Sequence, residues 1–167
     1  MKRPQPNNQE KSFQDDEIIV SKTDTKGKIT YGNEIFIRMS GYSEQELLNA
    51  PHSILRHPDM PKAIFKLLWD TIKSKNEINA YVKNLSKDGS FYWVLANVTP
   101  SYDKSNNIIG YFSVRRTPNK KSLETIKPLY KKLLDIEKSQ GVDASIKYIE
   151  NLLQEKGVSY EQFILSI

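Results

Sequence analysis

Three strand-like runs that are separated only by short turns constrain the fold of this chain most strongly. Residues 79–85, 91–100 and 108–116 are rich in β-branched and aromatic side chains, which favour strands. An Asp-Gly pair, Asp88 and Gly89, lies in the first turn and is among the strongest hairpin dipeptides. Because such short connections join antiparallel neighbours, the second half of the chain is predicted to form an antiparallel sheet.

Two further strands and a series of helices are predicted before these runs. Residues 18–23 and 28–31 have the composition of strands and flank a short turn, so they are predicted to form a hairpin. Short helices are predicted after the capping residues Asn33 and Ser43, and a longer amphipathic helix over residues 62–73. The order β-β, helices, β-β-β predicts an α+β fold, in which a five-stranded antiparallel sheet has short helices on one face.

The composition of the chain divides it into three segments. Residues 1–14 are polar and contain prolines, so a mobile N-terminal tail is predicted there. Residues 15–118 hold all of the predicted strands and form the expected domain. Residues 119–167 carry apolar side chains at helical spacing, which predicts amphipathic helices. Their apolar stripes need cover, either from the domain's own sheet and each other, or from a partner helix or a second copy of the chain.

The composition excludes several classes of function. The 167 residues include no cysteine, which excludes disulfides, thiolate zinc sites and cysteine nucleophiles. The net charge is +5, yet the lysines are interleaved with acidic residues, so no nucleic-acid interface is predicted. The sequence has neither an apolar run long enough to span a bilayer nor a signal-peptide pattern, which predicts a cytoplasmic protein without direct membrane insertion. No phosphate loop, nucleophile elbow, metal-ligand cluster or acid–base pair points to an enzyme.

Residues 51–61 form the segment with the most unusual composition. They include both histidines of the chain, together with Arg56, Asp59 and three prolines. Proline fixes the backbone φ angle and removes an amide donor, which predicts a shaped loop and not the interior of a helix or strand. Loops that hold charged and ring-bearing side chains in place often form binding sites, so this segment is the first candidate.

Several strings in the chain resemble the PAS domains of the aerotaxis-receptor family. They are residues 29–36 (ITYGNEIF), 40–43 (SGYS), 56–62 (RHPDMPK), 82–84 (VKN), 87–89 (KDG), 92–94 (YWV) and 110–115 (GYFSVR). The resemblance extends over about residues 21–116, and the RHPDMP string is its most specific part. It implies the PAS fold, to which the C-terminal amphipathic helices are an addition.

The resemblance also implies a function. Aerotaxis-receptor PAS domains bind FAD and report redox state to the chemotaxis machinery. Because this chain shows no membrane anchor or signalling domain, it is most similar to the separate PAS subunit of bipartite energy-taxis receptors. That similarity implies a membrane-bound chemoreceptor subunit with HAMP and signalling domains as the partner, recruitment to the inner face of the membrane, and a C-terminal extension that docks or dimerises. A homodimer or a PAS–PAS heterodimer is compatible with it.

The same resemblance places the flavin at the loop. It implies that Arg56, His57 and Asp59 bind the cofactor, whereas the residues alone also allow an Arg56–Asp59 ion pair that only holds the loop together. The ring of His57 is expected to titrate near physiological pH and to couple proton transfer to electron transfer. The further candidates for cofactor binding are Asn33, Phe65, Asn84 and Tyr92.

Several of these candidates have a structural interpretation as well. Asn33 is expected to cap a helix, and Trp69 is expected in the core. Tyr92 and Trp93 are on opposite faces of one strand, so only one of them is expected to face the interior. His52 is expected to be structural.

Ile78 is a departure from the family pattern, since flavin-binding members have a tryptophan at this place. An isoleucine offers dispersion contacts but no π face to a flavin ring. Two alternatives to an FAD sensor are therefore also compatible with the sequence. One is a cofactor-free PAS adaptor that acts through protein–protein contacts, and the other is a haem sensor with His57 or His52 as the axial ligand.

Overall fold

The computed structural model describes residues 2–167. Five strands and six α-helices follow each other in the predicted order, with a short 3-10 helix at His52–Leu55. The strands are β1 (Ile19–Thr23), β2 (Ile29–Gly32), β3 (Ile78–Leu85), β4 (Phe91–Tyr102) and β5 (Ile108–Arg116). The helices are α1 (Glu34–Ser40), α2 (Glu44–Leu47), α3 (Lys62–Lys73), α4 (Lys120–Gln140), α5 (Val142–Lys156) and α6 (Tyr160–Ser166).

The five strands form one antiparallel sheet in the order β2-β1-β5-β4-β3. Consequently β5, the last strand in the chain, lies between the first hairpin and the second. The predicted α+β architecture with a five-stranded antiparallel sheet is confirmed. The predicted caps are confirmed as well, because the side chain of Asn33 accepts a hydrogen bond from Phe36 N and Ser43 closes a capping box with Glu46.

Helices cover both faces of the sheet at strands β3 and β4. Tyr92 and Trp93 are on opposite faces, and both are buried, so the expectation that only one of them is interior is wrong. The reason is that Trp93 packs beneath α4, where its ring centroid lies 6.1 Å from that of Tyr130. The other face, which carries Tyr92, is the face that α3 covers.

The apolar stripes of the C-terminal helices are buried against this domain's own sheet. Buried residues of α4, among them Ile126 and Leu133, belong to the same core cluster as Trp93. The hydroxyl of Tyr130 donates a hydrogen bond of 2.6 Å to the carbonyl oxygen of Tyr81 on β3. The structure therefore shows the first of the two alternatives, in which the domain's own sheet buries these stripes. The apolar stripes of residues 119–167 do not by themselves indicate a partner.

Residues 7–13, predicted as part of a mobile tail, lie along the start of β4. Lys11 N donates to the carbonyl oxygen of Phe91 at 2.7 Å, and Phe91 N donates to that of Gln9 at 2.8 Å. These backbone groups of β4 are open because pairing with β5 begins only at Leu95. Phe13 is buried in the main core, which adds apolar contact to the backbone bonds.

Within residues 2–167, no helix is both long and apolar enough to cross a membrane.

Candidate functional site

A cavity of about 280 Å³ lies between α3 and the sheet. Its volume is just below the ~300–1,000 Å³ that is usual for ligand pockets. Its apolar walls are formed by Phe65, Leu68, Trp69, Ile72, Val82, Ala96, Val98 and Tyr111. Its polar lining includes Ser21, His52, Arg56, Asn84, Ser113 and Arg115. Apolar walls with a few converging polar groups are typical of a small-molecule site.

Arg115 is the central polar residue of the cavity. It is buried on β5, where Nε donates to Ser113 Oγ at 2.9 Å and Nη2 donates to the hydroxyl of Ser21. The guanidinium carbon lies 5.1 Å from the ring centroid of Phe36, which adds a cation–π contact. Burial lowers the pKa of Arg115 to about 10, so the side chain is still a cation at neutral pH.

His52 lies beside this cation and stays neutral. Its Nε2 is 3.2 Å from Arg115 Nη2, and its ring stacks on Phe36 at a centroid distance of 5.9 Å. Desolvation and the charge of Arg115 lower the pKa of His52 to about 3. A neutral Nε2 accepts the guanidinium hydrogen bond, which requires the ring proton on Nδ1. His52 therefore orients Arg115 and is no source of protons near pH 7.

Four buried donor groups in and beside the cavity lack a hydrogen-bond partner among residues 2–167, namely Arg56 Nε, Asn84 Nδ2, Tyr92 Oη and Arg115 Nη1. Buried polar groups are rarely left unpaired, because each costs the free energy of desolvation. Within the described part of the chain, the lining residues include Lys26, Arg56 and Arg115 as cations and no carboxylate. The cavity thus suits a ligand that presents hydrogen-bond acceptors or negative charge.

Aromatic side chains form the wall opposite the strands. The guanidinium carbon of Arg56 is 3.7 Å from the ring centroid of Phe65, so the guanidinium group of the loop stacks on a ring of α3 at the cavity. Trp69 meets Tyr111 edge to face at a centroid distance of 5.4 Å. Trp69 also fills the space beside Gly27, where an added Cβ would lie 3.1 Å from the indole. The expectation that Trp69 is only a core residue therefore needs correction, because its ring lines the cavity.

The structure brings together only part of the predicted site. Arg56, Phe65 and Asn84 line the cavity, and Tyr92, which pairs with Asn84 across β3 and β4, is buried beside it. Asn33 lies outside the cavity. Its side chain caps α1, accepts from Val20 N at 3.1 Å and donates to Ile18 O at 2.8 Å, so its hydrogen bonds are structural.

His57 and Asp59 are not among the residues that line the cavity. His57 is buried with its ring edge against Phe91, and its Nδ1 accepts from Asp59 N at 3.0 Å. Burial lowers the pKa of His57, which takes its titration further from neutral pH. Proton coupling through this ring therefore has no geometric support.

Asp59 pairs with Lys83 at 2.8 Å, with a side chain that is 60% exposed. The alternative that an Arg56–Asp59 ion pair holds the loop together is therefore wrong. The physical reason is that Arg56 turns inward to stack on Phe65, whereas Asp59 lies in a turn and pairs with Lys83 on β3.

Ile78 is the first residue of β3 and is not among the lining residues. It is buried in a small cluster with Ile72, Val98 and Tyr111, three residues that do line the cavity. Trp69 and Tyr111 supply aromatic surface to the cavity.

Sequence reasoning missed Arg115, Ser113 and Ser21 as site residues. The signal was present in β5, where Tyr111, Ser113 and Arg115 alternate along one face. A charged residue at the end of a strand is usually exposed, however, and nothing local showed that β1 and the loop would enclose this one.

Comparison with known proteins agrees with this architecture. The sequence pattern described as the PAS fold matches residues 29–115. The chain belongs to the PAS-fold family. The chain is 42% identical over 119 residues to the aerotaxis receptor of Escherichia coli (strain K12), covering 71% of this chain and 23% of that protein. This identity confirms the resemblance to aerotaxis-receptor PAS domains.

Other relatives are more distant. The nitrogen fixation regulatory protein of Klebsiella pneumoniae is 29% identical over 99 residues, covering 59% of this chain and 20% of that protein. The dark-state LOV domain of the blue-light photoreceptor Aureochrome1 superposes with a TM-score of 0.57 at 24% identity, covering 71% of this chain and 86% of that one. This second likeness shows the fold. The PAS domain spans about a quarter or less of the curated relatives named here.

Proposed function

We propose that this PAS protein is a sensory subunit of an energy-taxis system and that it senses redox state through a flavin, FAD, in the cavity. The observation that carries the proposal is the set of four buried donors without partners, in and beside a cavity with aromatic walls. The similarity to an aerotaxis receptor gives the signalling context. A light-oxygen-voltage domain studied with a flavin analogue has the same fold, with a TM-score of 0.56.

The lining residues suit the ring system of a flavin. Its ring system is planar, with an apolar edge and an edge of carbonyl oxygens and ring nitrogens that accept hydrogen bonds. Phe65, Trp69 and Tyr111 would contact the ring, whereas Asn84 and Arg115 would donate to its acceptors. When bound, the flavin supplies the electron-transfer chemistry that the side chains lack.

The charge of Arg115 would favour the reduced form of the ring. A buried cation stabilises the additional negative charge that accompanies reduction, and such a cation raises the reduction potential. Ser21 and His52 form hydrogen bonds with Nη2 of Arg115. These bonds hold the charged group in place before any ligand binds.

The proposed partner is a separate membrane-bound chemoreceptor subunit with HAMP and signalling domains. The family resemblance supports this partner, together with a location at the inner face of the membrane and a role without catalysis. The PAS protein could contact this receptor subunit as a homodimer or as a PAS–PAS heterodimer.

An absorbance spectrum of the purified protein, taken before and after incubation with FAD and desalting, tests the proposal. A bound flavin gives a band near ~450 nm, and we expect this band at close to one FAD per chain. A protein that stays colourless contradicts the flavin sensor and favours the cofactor-free adaptor. A strong band near ~400 nm indicates haem. We do not expect haem, because Nε2 of His52 faces Arg115 and His57 is not a lining residue.

A further inference from the structure

A carboxylate from α4 completes the N-terminus of α3. Helix α3 begins after Pro61, which offers no side-chain cap to the free amides of the first turn. Glu137 fills this role, since Oε2 accepts from Lys62 N at 3.0 Å and Oε1 accepts from Ala63 N at 2.9 Å. A negative charge at this end of a helix is also favoured by the helix dipole. The start of α3 thus depends on a residue far along the chain.

The helix that Glu137 caps is the wall of the cavity. Phe65 lies within one turn of the capped amides, and Trp69 lies one turn further on. Phe65 in turn supports the guanidinium of Arg56 by stacking. A change in the position or order of the first turn of α3 would therefore displace aromatic groups that line the cavity.

Glu137 also joins the C-terminal helices to each other. The hydroxyl of Ser145 on α5 is buried, and its single proton is shared between the carbonyl oxygen of Val142 at 2.8 Å and Oε1 of Glu137 at 3.1 Å. Helix α4 is itself fixed to the far face of the sheet through Tyr130 and Tyr81. Glu137 is therefore the point where α3, α4 and α5 meet.

We propose that Glu137 is a positioning residue that couples the cavity to the C-terminal helices. It holds the first turn of α3 in the arrangement that binds ligand, and a ligand in the cavity stabilises in return the docking of α4 and α5. This reciprocity is a thermodynamic requirement of any such coupling. The ligand half of the inference rests on the proposed flavin function, whereas the positioning of α3 does not.

The positioning of α3 is tested without ligand in Glu137→Ala. We expect faster amide exchange at Lys62 and Ala63 and a shifted indole N–H resonance of Trp69 in ¹⁵N NMR spectra. Glu137→Gln keeps one acceptor oxygen and is expected to restore part of the wild-type spectrum. Glu124→Ala removes an exposed carboxylate from the same helix and should leave both signals unchanged. The proposal would be overturned if Glu137→Ala and Glu124→Ala changed amide exchange and the indole resonance equally, or if neither variant changed them.

The coupling is tested by FAD titration of the same proteins. We expect Glu137→Ala to weaken binding by about fivefold or more, the usual lower limit of allosteric coupling. We also expect FAD to slow amide exchange around Glu137 and Ser145 in the wild type more than in Glu137→Gln. Unchanged affinity despite a disturbed α3 would refute the coupling. If the wild type binds no FAD, the proposed function fails, and the NMR comparison alone decides whether Glu137 positions α3.

Discussion

Replacing Arg115 with methionine is expected to lower the affinity for FAD by about 10- to 150-fold, because hydrogen bonds to a charged group contribute about 1.5–3 kcal/mol. The same change should leave the free energy of unfolding unchanged or raise it. Arg115 is a buried cation that has no acidic partner within residues 2–167, so an apolar side chain of similar length relieves desolvation. Ser21 Oγ and His52 Nε2 are already hydrogen-bonded at 3.2 Å, and this bond can persist after the change.

Arg116→Met is the matched control, because the neighbouring arginine is exposed and is not a lining residue. It should leave FAD affinity close to the wild-type value. FAD titration and urea unfolding of both variants separate binding from stability. Wild-type affinity in Arg115→Met would show that this cation does not contact the ligand. A large loss of stability would show that its bonds to Ser21 and Ser113 outweigh the cost of burial.

Ile126→Ala is expected to destabilise the whole PAS domain by about 2–5 kcal/mol, the usual effect of removing a fully buried aliphatic side chain. Ile126 is on α4 and has no exposed surface, since it packs into the core cluster that includes Trp93 and Tyr81. The loss combines the lost burial of apolar surface with the cavity that is left behind. Chemical unfolding monitored by tryptophan fluorescence measures it, because Trp93 is beneath this helix.

Ile109→Ala is the matched control, because it makes the same substitution at an exposed position. Ile109 is 57% exposed on β5, so its replacement should change stability by no more than about 0.5 kcal/mol. If Ile126→Ala were equally mild, the C-terminal helices would not form one core with the sheet. Residues 119–167 would then be a separate docking extension, as the family resemblance implied.

The elements of the fold could be predicted from the sequence because their signals are local. The capping residues Asn33 and Ser43 and the Asp-Gly turn mark boundaries by hydrogen bonds or backbone angles that involve only near neighbours. The attachment of residues 7–13 to β4 could not be predicted. It depends on backbone groups that are left open by the length of β5, a property of the assembled sheet.

Two lining residues could be predicted because each is unusual for its own element. Asn84 in a strand and Arg56 in a proline-rich loop stood out, and both line the cavity. His57 is next to Arg56 in sequence, yet in irregular backbone adjacent side chains take unrelated directions, and its ring packs on Phe91 instead. Arg115 was missed because its burial results from contacts with Ser21 and His52, which are distant in the chain.

A crystal structure of the protein grown with FAD would show directly whether the cavity binds flavin. We expect flavin density in the cavity between α3 and the sheet, with an acceptor of the ring within hydrogen-bond distance of Nη1 of Arg115. Flavin bound elsewhere on the protein, with the cavity itself without ligand, would refute the proposed flavin site.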